Sequence, residues 1–184
     1  MRKFFFRSQD DKEAAIARLK ERGVLVLPVA QDDPRLDISF HLVTDEVKDV
    51  DLEPLAAFGP DDVYQINLRG TMITDAGLAH LSKLTGLERL HLERTNLTNA
   101  GLAHVKGLEQ LAYLNLYATP AISDGCVDHL KHLTGLRKLF LWQTKVTDAG
   151  EEAIKAALPD CKIDRGVKVE KKDDKQGDDQ RGDG

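Results

Sequence analysis

A chain of 184 residues is long enough for one domain, and with 41% hydrophobic but only 5% aromatic residues its core has to be built from Leu, Ile, Val and Ala. A formal net charge of -5 argues against nucleic acid as a partner, because nucleic-acid-binding domains usually show a basic patch. The two cysteines are too few for a disulfide framework, and no apolar run approaches the roughly 18 residues of a membrane-spanning helix.

Residues 1–36 are predicted to form an N-terminal cap made of one helix and one strand. An apolar stripe within residues 8–22 indicates a helix that ends at Gly23, and the apolar run of residues 24–27 indicates a strand that ends at Pro28. The first unit of a repeat array has an apolar face, which we expect this segment to cover. The stripe consists of Ala15, Ile16 and Leu19.

Residues 37–62 resemble, in degenerate form, a unit that recurs more clearly further along the chain. Starting this unit at Asp37 places Phe40 and Leu42 at its two strand leucine positions. Its second half then matches the next copy at three positions, in the pairs Val47 and Ile73, Asp49 and Asp75, and Leu52 and Leu78.

Four clear copies of the unit follow, and their starts are 24, 24 and 25 residues apart. They are near copies of the pattern L-x-x-L-x-L-x-x-T-x-[LIV]-T-D-A-G-L, with one extra residue near Pro120 in the third, and a fixed period of this size indicates a solenoid. Apolar residues alternate over the first six positions, which indicates a short strand, and later recur three apart, which we interpret as a helix. The copies start at Val63, Leu87, Leu111 and Leu136.

Two hydroxyl-bearing columns recur in these copies. One stands at the expected start of each helix, where a hydroxyl can accept a hydrogen bond from a free backbone amide. It contains Thr74, Thr98, Ser123 and Thr147. The other stands in the turn after each strand, and we predict that its hydroxyl groups tie neighbouring units together. It contains Thr71, Thr95, Thr119 and Thr144.

The pattern weakens after Gly150 and is predicted to close with an edge strand around Cys161. The solenoid is therefore expected to span residues 37–165 in about five units. Residues 166–184 consist mainly of Lys, Asp, Gln and Gly, a composition that favours a disordered charged tail. The basic start of the chain holds only three consecutive Phe, too few for a signal peptide. A cytoplasmic location is expected for the chain as written, and export if it is a piece of a longer precursor.

The V-T-D-A-G-L units and the A-L-P-D-C-K-I ending resemble those of short bacterial leucine-rich repeat proteins that are abundant in planctomycetes. The units are also similar to the cysteine-containing class of leucine-rich repeats, with Thr in place of Cys. The resemblance covers about residues 37–163. It implies an α/β fold, a right-handed β-α superhelix with a curved parallel sheet inside and helices outside, and a role in protein interaction without catalytic residues.

In such a solenoid, strand positions 1, 4 and 6 hold core leucines, so positions 3, 5 and 7 are predicted to face the concave side. Position 3 holds Ser39, Gln65, Arg89, Tyr113 and Lys138; position 5 holds His41, Asn67, His91, Asn115 and Phe140; position 7 holds Val43, Arg69, Glu93, Tyr117 and Trp142. Adjacent strands lie about 4.8 Å apart, so four aromatic side chains are expected to meet on the last two of these strands.

This aromatic cluster and its basic neighbours form the predicted binding site, because exposed Trp, Tyr and Arg dominate protein interfaces. The site comprises Arg89, His91, Tyr113, Tyr117, Lys138, Phe140 and Trp142. The alternative is that the rings pack against one another or are covered by the tail.

The sequence favours a binding module for a protein or peptide, and not an enzyme. It contains no phosphate loop, no H-E-x-x-H and no C-x-x-C, and so indicates no metal and no cofactor. A histidine recurs in three of the predicted helices without a recurring Cys or carboxylate beside it, which favours a structural role: His80, His104 and His129. Alternatives from other classes are a carbohydrate or cell-envelope binder and a structural spacer in a larger assembly. The oligomeric state is left open.

Overall fold

The computed structural model describes residues 9–166, so the predicted tail lies outside the described residues except for Gly166. The four α-helices and seven β-strands follow the chain in this order: α1 Gln9–Glu21, β1 Leu25–Pro28, β2 Leu36–Ser39, β3 Val63–Asn67, α2 Asp75–Leu78, β4 Arg89–His91, β5 Tyr113–Asn115, α3 Val127–Leu130, β6 Lys138–Phe140, α4 Asp148–Ala157 and β7 Lys162–Asp164. None of these helices is long and apolar enough to cross a membrane.

All seven strands belong to one sheet, in which their spatial order is their order along the chain. β1 pairs with β2 in the antiparallel direction, and every later pair is parallel. The central residue of one strand faces that of the next, as Leu90 faces Leu114. This stacking of successive units confirms the predicted α/β leucine-rich repeat solenoid.

The core is a set of leucine columns that run from unit to unit. Leu87, Leu90 and Leu92 are all fully buried, as are the equivalent residues of the next copy. Alternation along each strand sends these side chains to one face, where they meet the apolar residues of the returning segments. The other face of the sheet is left to polar and aromatic side chains.

The segment that was expected to cover the first unit contains the helix α1 and the strand β1. Ala15 and Leu19 of α1 are buried against the 3₁₀ segment Asp49–Ala57. Arg22 fixes the same contact from the helix end, since its Nε lies 2.7 Å from an oxygen of Asp51. Gly23 ends the helix with a left-handed φ of 86°.

The returning segments differ from the prediction, because most are short 3₁₀ turns and not full α-helices. Apart from α4 and the longer 3₁₀ segment Asp49–Ala57, they consist of one or two turns, and the segment Asn99–His104 is entirely 3₁₀. Apolar residues exactly three apart, such as Leu102, Val105 and Leu108, line one side of a helix with 3.0 residues per turn. The spacing that was interpreted as α-helical therefore suits the tighter helix.

The predicted register of the first unit is wrong by two residues. Ile38, and not Phe40, pairs with Ile66 of β3, and a register shift follows Leu36. Phe40 is buried, whereas Leu42, which was placed in the core, is 54% exposed. The second half of the unit was matched correctly, since the carbonyl of Val47 accepts from Met72 as that of Ile73 accepts from Asn96.

The threonines in the turns do not connect neighbouring units, contrary to the prediction. The hydroxyl groups of Thr71, Thr95 and Thr144 each donate to the carbonyl of the leucine three residues earlier, at 2.7 Å. A threonine side chain is short and reaches this local acceptor first. The column therefore closes each turn from within.

Units are instead tied together by the acidic residue of the T-D-A-G motif. Asp75 accepts the backbone amide of Thr98 at 2.8 Å and its hydroxyl at 2.6 Å. Asp49 and Asp124 bind Thr74 and Thr147 in the same way, and Asn99 binds Ser123. We call this series the aspartate ladder.

The same hydroxyl groups cap the returning segments in three of the four copies. Thr74, Thr98 and Thr147 accept from backbone amides of their own segments, as predicted. Ser123 does not, because its hydroxyl oxygen accepts from the Asn99 side chain instead.

Candidate functional site

The outward-facing residues of the parallel strands form three rows across the concave face. The register correction replaces Ser39, His41 and Val43 at the start of the rows by Asp37, Ser39 and His41. The first row is Asp37, Gln65, Arg89, Tyr113, Lys138 and Lys162; the second is Ser39, Asn67, His91, Asn115, Phe140 and Asp164. By the same offset the third row is His41, Arg69, Glu93, Tyr117 and Trp142.

The first row begins as a chain of polar contacts. Gln65 donates to Asp37 at 2.9 Å, and Arg89 donates to Gln65 at 2.8 Å. The Arg89 guanidinium then lies over the ring of Tyr113, with 4.3 Å between its central carbon and the ring centroid. Arg89 is therefore held in place on both sides before any partner arrives.

The structure brings the predicted aromatic residues together in two groups. Tyr113 contacts His91 and Phe140, with ring centroids 4.7 and 5.3 Å apart. Tyr117 contacts Trp142, with ring centroids 5.2 Å apart. The exposed Arg94 lies over the ring of Tyr117, with 5.6 Å between its central guanidinium carbon and the ring centroid. The rings thus support one another, as one of the alternatives held, yet they stay partly open to solvent.

Trp142 is the most prominent of these side chains, with 51% of its surface exposed. The backbone of Gly166 lies against its indole so closely that a β-carbon on that residue would overlap the ring. The amide of Gly166 is held there by Asp164, at 2.8 Å. One part of the indole is therefore covered by the end of the described chain, and the rest is exposed. Lys138, in the first row of the same strand, is exposed as well.

Sequence reasoning missed Glu93 as a member of the site. Its position in the third row predicts a solvated carboxylate, but the residue is only 6% exposed. Its Oε1 accepts from Asn115 at 2.6 Å and lies 3.0 Å from Nδ1 of His91. Oε2 is buried and has no hydrogen-bond partner in the described chain. The sequence signal for this burial is Asn115, which stands on the next strand. It is too far from Glu93 along the chain for a local sequence pattern to connect the two.

His41 connects the start of the third row to this region. Loss of solvation lowers its pKa, and the positive charge of Arg69 lowers it further, while the carboxylates of Asp37 and Glu93 oppose the shift. Among residues 9–166, no group of three or more His, Cys, Asp or Glu side chains is arranged to hold a metal ion.

No protein-family model matches the chain, and no curated protein matches it. Among solved structures, an internalin C2 from Listeria monocytogenes is 27% identical over 66% of this chain, with a TM-score of 0.47. This chain spans only 55% of that internalin. The leucine-rich repeat ectodomain of the receptor kinase SOBIR1 from Arabidopsis thaliana is 12% identical, with a TM-score of 0.49 over 85% of this chain and 91% of its own.

The C-terminal domain of tropomodulin from Caenorhabditis elegans is similar over 82% of this chain and 92% of its own, with 15% identity and a TM-score of 0.52. At this identity the similarity concerns the fold alone. The strand order and the leucine columns are those of a leucine-rich repeat solenoid.

Proposed function

We propose that this protein is a non-enzymatic binding module that recognises a protein or peptide on the concave face of its sheet. The observation that carries the proposal is the aromatic pair of Tyr117 and the half-exposed Trp142, on the same two units as the second group of Tyr113 and Phe140. Clustered exposed rings are unusual on a protein surface without a partner. Arg89, His91 and Lys138 border the rings and supply the polar rim that such interfaces use.

Carbohydrate binding on the same rings is the second candidate, because an exposed indole such as that of Trp142 can stack on a sugar. It is the weaker one. Sugar binding also uses free amide groups beside the ring, and the amide of Asn115 already donates to Glu93 and to the hydroxyl of Tyr113.

The test compares three versions of the chain: the unchanged protein, Trp142→Ala and Leu114→Ala. Each is used to select from a displayed library of random peptides, applied to a glycan array and followed in a thermal melt. Trp142→Ala should melt close to the unchanged protein but weaken peptide binding by about 2 kcal/mol or more. Leu114→Ala should lose about 2–5 kcal/mol of stability, because Leu114 is fully buried.

Two results would contradict the proposal. Early melting of Trp142→Ala would show that the indole supports the core and not a partner. If the protein binds glycans but no peptide in a way that depends on Trp142, the site is a carbohydrate-binding site.

A further inference from the structure

We propose that Glu93 is the recognition carboxylate of the concave face and takes a cationic side chain, the lysine or arginine of a partner polypeptide. The inference rests on the proposed function and gives its partner a chemistry. Its basis is a buried carboxylate with one oxygen unused, placed beside the aromatic pair.

The two oxygens of this carboxylate are used unequally. Oε1 has two contacts, with Asn115 at 2.6 Å and with His91 at 3.0 Å. Oε2 is closed off from solvent and has no partner among residues 9–166. His91 is the only ion-pair type contact of Glu93 in that range, and no lysine or arginine pairs with it there. A buried anionic oxygen without a donor is costly, so a partner that supplies a charged donor gains more here than at a solvated acid.

The fold itself does not require a carboxylate at this position. The equivalent residues of the neighbouring units are Arg69, Tyr117 and Trp142, and these units have the same strand and turn. Of these four, only Glu93 is buried. In a repeat protein, positions that the fold requires hold similar residues in every copy. The residue at the position of Glu93 differs from copy to copy, so the fold does not explain the carboxylate there.

The surroundings of Glu93 suit a long cationic side chain. Tyr117 stands on the next strand and Trp142 on the one after, with their rings 5.2 Å apart. The apolar stem of a lysine or arginine can lie along these rings while its charged end reaches Glu93. To meet that end, the carboxylate has to turn outward about its side-chain bonds, and Oε1 then exchanges its contacts with Asn115 and His91 for the cation.

Basic residues elsewhere on the face favour the opposite partner, an acidic peptide. Arg89 and Arg94, however, already lie over tyrosine rings, and Arg89 also donates to Gln65. Lys138 and Lys162 are exposed and carry their hydration. The group without a partner on this face of the described chain is the carboxylate oxygen of Glu93, so a cationic side chain is the better complement. Selection of peptides that share acidic residues would contradict this.

The test uses the full chain and a displayed library of random peptides, followed by affinity measurements on individual synthetic peptides. The selected peptides should share one lysine or arginine. Replacing it by glutamine should weaken binding to the unchanged protein by at least about tenfold, and to Glu93→Gln by less than about twofold. Glu109→Gln, an exposed position in the turn before β5, changes the net charge equally and is the matched control. Glu93→Met, which is apolar and of similar shape, serves if Glu93→Gln does not fold.

Peptides that need Trp142 but share no basic residue, or that share acidic ones, would overturn this inference and leave the proposed function standing. So would a basic residue that matters equally for Glu93→Gln, or an equal loss of binding in Glu109→Gln. If no selected peptide depends on Trp142, both proposals fall together.

Discussion

At the scale of single residues, the T-D-A-G motif is explained by one contact between units. The Asp of one copy occupies the space beside the Gly of the next, as Asp75 does beside Gly101. A β-carbon on Gly101 would overlap the carboxylate that binds Thr98. The motif therefore recurs because its acidic residue and its glycine are the two halves of a joint that repeats along the chain.

Gly101→Ala is expected to lose about 1–3 kcal/mol of stability, because the added methyl group has to displace the carboxylate or the backbone of Asp75. Gly107→Ala is the matched control, since nothing lies within 4 Å of a β-carbon there. We expect it to stay within about 0.5 kcal/mol of the unchanged protein. Urea unfolding curves measure both.

The joint can be tested further in the Asp75→Ala background. The alanine removes the overlapping side chain, so Gly101→Ala should cost less there than in the unchanged protein, as interacting neighbours do not act additively. Equal costs in the two backgrounds would show that the aspartate is not what excludes the methyl group.

The two cysteines are expected to be unreactive in the folded chain. Burial raises the pKa of Cys126 to about 12, with the charge of Asp124 acting in the same direction, and burial raises that of Cys161 to about 11. The folded state thus holds its thiol protons more tightly than the unfolded chain, whose thiols titrate near 9.0. Stability should therefore be intact below about pH 9 and fall as pH rises from there toward the folded values.

Alkylation with iodoacetamide at pH 8 measures this directly. Labelling should be slow without denaturant, slowest at the fully buried Cys126, and complete in urea. Rapid labelling of Cys126 in the native state would mean that the third and fourth copies open locally.

At the scale of elements, the turns after β3, β4, β5 and β6 each depend on a left-handed residue. Gly70, Arg94, Ala118 and Gln143 have φ angles of 71°, 56°, 55° and 58°. The amide of Ala118 donates to the carbonyl of Trp142 at 2.9 Å, which extends the pairing of neighbouring units past the strands. Only one of the four turns carries the residue that adopts this conformation without strain.

Ala118→Gly is therefore expected to stabilise the protein, by up to about 1 kcal/mol, since relief of the strained φ exceeds the added entropy of the unfolded chain. Ala112→Gly, just before β5, is the control with no positive φ and should cost about 0.5–1 kcal/mol. Thermal melts of the two variants should move in opposite directions. A lower melting temperature for Ala118→Gly would show that its left-handed turn carries no strain.

The sequence predicts the strands well where the copies are alike, and less well in the first unit. Moving a strand by two residues keeps every side chain on the same face, so alternation alone cannot distinguish Ile38 from Phe40 as the residue beside Ile66. Asp49 was matched correctly to Asp75 because both belong to the aspartate ladder. A contact that recurs in every unit leaves a recurring residue in the sequence, whereas a register shift in one strand leaves no such pattern.

The candidate site shows the same limit. The aromatic rows follow from strand spacing, and the structure brings Tyr113 against Phe140 and Tyr117 against Trp142. The burial of Glu93 depends on how it turns toward Asn115 across the sheet, and no periodic pattern contains that information.

At the scale of the whole molecule, the cap replaces the unit that the first repeat lacks. β1 pairs with β2, and α1 packs against the 3₁₀ segment Asp49–Ala57. Deleting residues 1–29 would expose the backbone edge of β2 together with the fully buried Ile38 and Leu52. An unpaired edge beside an apolar face promotes aggregation.

We therefore expect the deletion of residues 1–29 to give a chain that aggregates, as followed by light scattering and size-exclusion chromatography. The comparison is a deletion of residues 167–184, which contain two valines and otherwise polar, charged and glycine residues. That chain should remain monodisperse with a melting temperature close to that of the full chain. A soluble chain without residues 1–29 would show that the first repeat needs no cover.

The aspartate ladder also makes each unit interchangeable. The copy at residues 87–110 offers the Asn99 side chain to the unit after it and the Thr98 hydroxyl and Gly101 to the unit before it, so a duplicate of this segment carries both contact surfaces. Duplication or deletion of a whole unit is thus compatible with folding, whereas insertion or deletion of part of a unit is not. Each unit added between Glu93 and Trp142 would separate the carboxylate from the indole by a further 4.8 Å or so. The number of repeats between these two residues would then set the length of ligand that can contact both of them.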